Sequence, residues 1–309
     1  MAESLPQNFN HLKIHTQYSI CEGAIKIDDL QEFSKSNKIK SLGISDTSNL
    51  CGALEFAEKI SKSGTQPIIG TQINFKFGDS VGLLPLIALN VSGYKRIVEL
   101  SSNSYLNNKN SSEPILDIDD LYSKPEGLLI MSGSINGLIG KLFNRGRFDD
   151  ISNLYKKLSS IYKEKFYIEI QRHNDQNEKA FENFNLNLSK KLDIPIIATH
   201  EVYYLDKSIY DAHDALICIS QKTYLNEKNR IFFSNQHYFK SSEEMNNLFS
   251  DLPEALENNY NLPLRCSFRP LPSKPILPNI SSDKSGDADK TLVVDSENGL
   301  VIKFLKEFN

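Results

Sequence analysis

Short apolar runs alternate with longer amphipathic ones through the first two thirds of the chain. The runs Leu12–His15, Ser41–Asp46, Pro67–Phe75, Leu84–Leu89, Gly127–Ser132, Phe166–Gln171 and Ile194–Thr199 predict strands. They are too short for stable helices and rich in Ile, Leu and Phe. Between most of them, Ile27–Asn37, Gly52–Ser63, Gly93–Ser104, Gly137–Arg145, Ile151–Tyr162 and Asn177–Lys191 repeat apolar positions three and four residues apart, which predicts helices with one buried face. Strands separated by helices predict an α/β fold with a mostly parallel sheet. Seven such units point to a closed or nearly closed β/α barrel.

Polar residues gather where the predicted strands end. His15-Thr16, Asp46-Thr47, Gln171-Arg172-His173 and His200-Glu201 all sit there. The C-terminal strand ends of a β/α barrel open onto one mouth, so these residues mark the expected site. The run Ser132–Gly137 reads as a strand-to-helix turn. His11 and His237 are expected to be exposed or satisfied, His200 to be a polar residue at a strand end, and His213-Asp214 to make hydrogen bonds from a helix. The pattern changes after residue 268. Arg269–Pro278 holds four prolines, 279–290 is polar, and Thr291–Phe308 resumes a helical apolar period. The expected division is 1–268, a linker at 269–290, and a last element at 291–309. That element stops incomplete at Asn309, so more protein is expected to follow.

Composition narrows the function. Net charge is −4, which argues against the chain as a main nucleic-acid grip, since such grips neutralise phosphates with cations. The N-terminus has neither the basic nor the apolar stretch of a signal peptide, and no run is long and apolar enough for a membrane span. The expected location is cytoplasmic. Cys21, Cys51, Cys218 and Cys266 form no C-x-x-C pair and read as reduced thiols. No P-loop and no dinucleotide fingerprint occurs. The aromatic residues are spread along strands and helices and read as core.

The segments HLKIHTQYSICEG (11–23), GISDTSNLCGALEF (43–56), PIIGTQINF (67–75), LIALNVSGYKRIVELSS (86–102), LLIMSGSINGLIG (128–140), FYIEIQRH (166–173) and IPIIATHEVYYLDKSIYDAHDALICI (194–219) follow one another in a definite order. YFKSSEEMNNLFSDLPEALENN (238–259) and KPILP (274–278) come after them. In that order they resemble the PHP (polymerase and histidinol phosphatase) domain of bacterial DNA polymerase III alpha subunits. The resemblance spans nearly the whole chain. It implies a distorted (β/α)7 barrel over 1–268, then a linker, then at 291–309 the first element of the polymerase region. The palm carboxylates that hold Mg²⁺ would lie beyond residue 309.

The resemblance also implies a metal site, and here that site is degenerate. Metal-bearing relatives draw ligands from an H-x-H on the first strand, an acid soon after it, and a His after the second strand. Further ligands are a Glu after the third strand, a Cys or His in the S-G-C block, a His in the E-x-Q-x-H block and a final D-x-H. On this chain the first pair is Lys13 and His15, the acid is Glu22, and the Asp-His pair is Asp46-Thr47. The Glu becomes Gln72, the Cys becomes Ser134, His173 stays, and the last pair is Glu201 and Tyr203. An ammonium has no lone pair to give a metal. Lys13 is therefore expected to pair with Glu22 or Glu201 in place of an ion. No bound metal is expected; His15, His173 and Glu201 are the residues that could hold one, and Zn²⁺ or Mn²⁺ would belong only to a live site.

By resemblance, the parent is a DNA-directed DNA polymerase, a nucleotidyltransferase of DNA replication. The 309 residues would be its scaffold, docking the proofreading exonuclease subunit and other replicase subunits, with DNA held by the polymerase region. No catalytic residue is expected among them. The alternative is a metal-dependent phosphoesterase or 3′–5′ exonuclease working through the residual site.

Overall fold

The computed structural model describes residues 8–107, 113–227, 230–275 and 288–307. Its contacts divide the chain into two compact units, Met1–Leu271 and Pro272–Asn309. In the second, the described residues 288–307 form one helix, as the apolar period of that stretch predicts. Residues 276–287, most of the expected linker, lie outside the described residues.

The first unit is built on one sheet. Its strands are β1 (His11–Ile14), β2 (Ser41–Thr47), β3 (Gln66–Phe77), β4 (Ser80–Ala88), β5 (Ile115–Asp117), β6 (Leu128–Met131), β7 (Phe166–Ile170), β8 (Ile196–Ala198) and β9 (Glu201–Val202). The order is β8-β7-β6-β4-β3-β2-β1-β9, with β5 added beside β3. The two ends of that order are consecutive in the chain, separated only by Thr199-His200. The sheet therefore curls round on itself. The helices are α1 (Ile27–Ser36), α2 (Ala53–Lys62), α3 (Val91–Leu106), α4 (Leu138–Asn144), α5 (Phe148–Tyr162), α6 (Glu178–Leu192), α7 (Tyr210–Gln221), α8 (Ser242–Leu248) and α9 (Pro253–Asn261), with α10 (Ala288–Glu307) in the second unit.

Local chemistry explains the main elements. Asn90 caps α3 by accepting from the Ser92 and Gly93 amides. Gly93 has no Cβ because one would overlap the Gly127 carbonyl; the helix lies that close to the chain leading into β6. Ser241 and Glu244 form a reciprocal cap on α8.

The sheet is mostly parallel, as expected: among the described residues six strand pairings are parallel, and the two antiparallel ones both belong to β4, with β3 and β6. β3 runs on to Phe77, and a two-residue turn at Gly78-Asp79, with Gly78 at φ +62°, returns the chain directly. The predicted strand Ile194–Thr199 is shorter. The chain kinks at Thr199-His200, so β8 pairs with β7 and β9 pairs with β1.

Side chains alternate across this sheet. Ile73, Leu84, Leu86, Leu128, Ile130, Ile168 and Ile196 face outward to α3–α6, while Ile14, Ile44 and Ile69 face α1 and α2. The opposite face, lining the interior, is apolar at one end: Leu12, Ile68, Ile87, Leu129, Tyr167 and Ile197 pack there with Leu262 and Cys266 as a plug. Asn259 of α9 stitches the seam between β1 and β8. Its amide bonds the Asn10 and Ala198 carbonyls at 2.9 and 3.0 Å, and its carbonyl oxygen accepts from the Asn10 amide at 2.8 Å. One step further up, at the strand C-termini, the interior turns polar.

Candidate functional site

Lys13 stands at the centre of that polar layer. Its register with β2 slips between His11 and Ile14, where three steps on β1 match two on β2. A bulge of this kind re-aims side chains. Leu12 reaches the inner apolar cluster, Ile14 the outer one, and Lys13 points inward and is fully buried. The ammonium Nζ lies 3.2 Å from Glu169 Oε1 and 3.5 Å from Glu201 Oε1. Burial alone would push Lys13 down; the two carboxylates outweigh it and hold the ammonium above its ordinary range. Burial likewise opposes the charge on Glu201, but Lys13 and His15 hold that carboxyl well below the usual carboxylate range.

The remaining donors converge on the same two carboxylates. His15 Nε2 approaches Glu201 Oε1 at 3.0 Å, and the Gln72 amide also donates to it. Glu169 Oε1 accepts from Gln171 Nε2 at 2.8 Å and from the Thr199 hydroxyl. Tyr203 stacks on His15 at 4.4 Å. The expected pairing of Lys13 with Glu201 is present; the pairing with Glu22 is not. Glu22 accepts from the Thr47 hydroxyl at 2.6 Å instead.

Asp46 belongs to the loop rather than to an ion site. Oδ1 accepts from the Thr16 amide and the Ser19 hydroxyl, both at 2.7 Å, and Oδ2 accepts from the Thr16 hydroxyl at 2.8 Å. Both oxygens are thereby spent on ordering the turn after β1. Ser134 lines a small cavity with Glu169, Gln171, Glu178 and Asn185. Lys13, His15, Gln72, Glu201 and Tyr203 thus come together, Glu22, Asp46 and Thr47 form a network beside them, and Ser134 shares a cavity with Glu169. A divalent ion held by Glu169 and Glu201 would have to share its place with a buried ammonium, so this donor set does not fit the metal cluster that the resemblance implies.

His173 lies next to the Lys13 cluster, in a group whose other members, Asp175 and His237, the strand-end pattern did not reveal. His173, Asp175 and His237 present ligand atoms within 4.8 Å of one another, a group that could hold a metal ion. His173 stacks on His237 at 4.1 Å and on His200 at 4.5 Å. Its Nε2 accepts from the Glu201 amide at 3.2 Å. Glu178 accepts from the amides of His173 and Asn174 at 2.7 and 2.8 Å. Burial pushes the Asp175 carboxyl up to about 6 and that of Glu178 up to about 7. Arg172 turns away, pairing with Glu182 and Asp251 at 2.7 Å each.

All six histidines of the chain are buried. Ring contacts link them through Tyr203: His11 to His200 at 5.7 Å, Tyr203 to His237 at 5.4 Å, and Tyr203 to His213 at 5.5 Å. Burial pushes His11 and His237 down to about 4. His11 Nε2 meets the Lys240 carbonyl at 2.8 Å, so of the two states expected for it, exposed or satisfied, the second holds. His213 bonds the Glu22 carbonyl at 2.8 Å and Asp214 pairs with Arg230 at 2.6 Å, the hydrogen-bonding role read from the sequence.

The profile of the PHP domain family matches residues 11–173. The DNA polymerase III subunit alpha of Caulobacter vibrioides is 33% identical over 98% of this chain and 27% of its own length. That of Rickettsia conorii is 36% identical over 97% of this chain and 25% of its own length. That of Borreliella burgdorferi is 34% identical over 89% and 25%. The chain spans about a quarter of the length of these relatives. Among solved structures, an amidohydrolase from Chromobacterium violaceum superposes on 67% of this chain and 96% of its own at TM-score 0.45 and 8% identity, a likeness too loose to transfer any residue role. No described helix is long and apolar enough to cross a membrane.

Proposed function

Because the chain belongs to the PHP domain family, we propose that it is the PHP module of a replicative DNA polymerase alpha subunit in which an internal ion pair has replaced the metal cluster of the mouth. The observation that carries this reading is the Lys13 ammonium between Glu169 and Glu201. A divalent ion bound to the same carboxylates would lie about 4 Å from the ammonium. At that distance like charges repel by about 4 kcal/mol per unit charge, even at an effective dielectric of about 20. Gln72 supports the reading, because its amide supplies a donor to Glu201 where a ligand would supply a lone pair.

The module acts as a scaffold in the cytoplasm. It braces the polymerase region and docks the proofreading exonuclease subunit, while DNA contacts and Mg²⁺-dependent nucleotidyl transfer belong to the rest of the polymerase. Two measurements test this. The purified chain, given Mn²⁺ or Zn²⁺, should release no product from a phosphodiester or a 3′-labelled single strand above the protein-free blank. Titration with the exonuclease subunit should show saturable binding. Turnover that disappears in His15→Ala would replace the scaffold with a metal-dependent phosphoesterase or 3′–5′ exonuclease.

A further inference from the structure

His237 presents a ring nitrogen with nothing to bind. Its Nδ1 donates to the Glu201 carbonyl at 3.1 Å, which leaves the lone pair of the neutral ring on Nε2. That nitrogen is buried and has no hydrogen-bond partner. It faces Asp175 Oδ2 at 3.9 Å, with the His173 ring beside it. A buried lone pair that faces a half-buried carboxylate oxygen is costly unless a cation lies between them. The nearby ammonium groups are engaged elsewhere: Lys13 with Glu169 and Glu201, and Lys240 with the backbone and side-chain oxygens of Gln236 at 3.0 and 2.9 Å.

We infer that His173, Asp175 and His237 form a site for one divalent transition-metal ion of the zinc class, seated beside the Lys13 ion pair and pinning the loop at 234–238 to the exit of β7. Two imidazoles and one carboxylate select zinc and its first-row neighbours over magnesium or calcium. With metal–ligand distances of about 2.0–2.2 Å, an ion reaches both His237 Nε2 and Asp175 across a gap that tightens by roughly half an ångström. The surroundings already orient both ligands. His237 gives its other N–H to a backbone carbonyl, and Asn136 donates to Asp175 Oδ2 at 3.3 Å. His173 and His237 lie within 6° of parallel, so His173 must turn its ring, releasing the Glu201 amide, to bring its lone pair to the same point. Three protein ligands leave a fourth position for water. None of its three ligands is a donor that the ammonium occupies, so this site stands whether or not the scaffold reading does.

The test uses the whole 309-residue chain, stripped of metal and titrated with Zn²⁺ by calorimetry, with bound zinc counted by mass spectrometry. One equivalent should bind and raise the melting temperature. His237→Gln and Asp175→Asn should each weaken binding by more than about 10-fold, and Ser241→Ala, at the α8 cap, should not. Should a variant fail to fold without metal, the wild-type chain still decides: Zn²⁺ should shift the imidazole resonances of His237 and His173 and leave His11 and His213 in place. An absence of stoichiometric zinc overturns this inference and leaves the scaffold reading standing. Zinc lost in Glu201→Gln yet retained in His237→Gln, or a shift centred on His15, puts the ion among the Lys13 donors and overturns both.

Discussion

The two clusters at the barrel mouth solve the same electrostatic problem differently. Around Lys13 of β1, Glu169 of β7 and Glu201 of β9 are buried with the ammonium between them, and His15, Gln72, Gln171 and Thr199 also meet their Oε1 atoms. In the loop and helix start after β7, Asp175 is half-buried and Glu178 buried, with no lysine or arginine paired to either among the described residues, and their removal from water raises both. A protein cation has closed the first cluster, whereas the second stays rich in lone pairs. Lys13, on a bulged strand, sets one positive charge between the two carboxylates it reaches and leaves the remaining donors to other uses.

Removing the cation is the strongest way to break this contrast. Lys13→Met should strand two buried carboxylates and cost about 3–5 kcal/mol, read by urea denaturation at pH 7. Adding Glu169→Gln and Glu201→Gln should recover most of that loss, because the cost lies in unpaired charge. A loss below about 1 kcal/mol in the single variant would mean that the ion pair does not hold the first cluster together.

Acid probes the neutral rings instead. His11 is held at about 4 by burial, with Lys240 also lowering it and the Lys240 carbonyl and Glu244 raising it, against about 6.5 in the unfolded chain. The folded value is depressed, so the unfolded chain binds the extra proton between these values. Stability should be full above about pH 6.5 and fall by about 3 kcal/mol as the pH drops to about 4. His11→Gln should flatten that limb of the denaturation profile.

Two smaller losses locate the effects. Asn259→Ala opens the seam between β1 and β8 and should cost about 1–3 kcal/mol by leaving buried backbone groups unpaired. Ser241→Ala removes the α8 cap, away from the carboxylates, and should cost about 1 kcal/mol without altering metal binding at either cluster.

Legibility differed by residue. His15 and Glu201 stood at strand ends, where polar residues in an apolar pattern announce themselves, whereas Lys13 and Gln72 lie within predicted strands and were marked only by the family resemblance. Glu169 carried a readable signal that the strand-end rule passed over: in FYIEI it alternates with Phe166, Ile168 and Ile170, which face the helices. The Gly78-Asp79 turn offered a similar signal for the β3–β4 hairpin. Asp175 and His237 offered none. They lie in loops without periodicity, 62 positions apart by their numbers.

What the chain determined by itself was its alternation of strands and helices, the polar rim of one barrel end, and the replacement of ligand-type residues by Lys13, Thr47, Gln72, Ser134 and Tyr203. The first two follow from side-chain polarity and near-neighbour spacing, which a linear pattern carries directly; the third follows from the family resemblance. Only the folded chain decided that Lys13 points inward and finds Glu169, that Asp46 spends itself on a turn, and that His237 reaches His173 and Asp175. A bulge, a closing seam and a loop crossing the mouth bring those groups together, and each depends on contacts between residues far apart in the sequence.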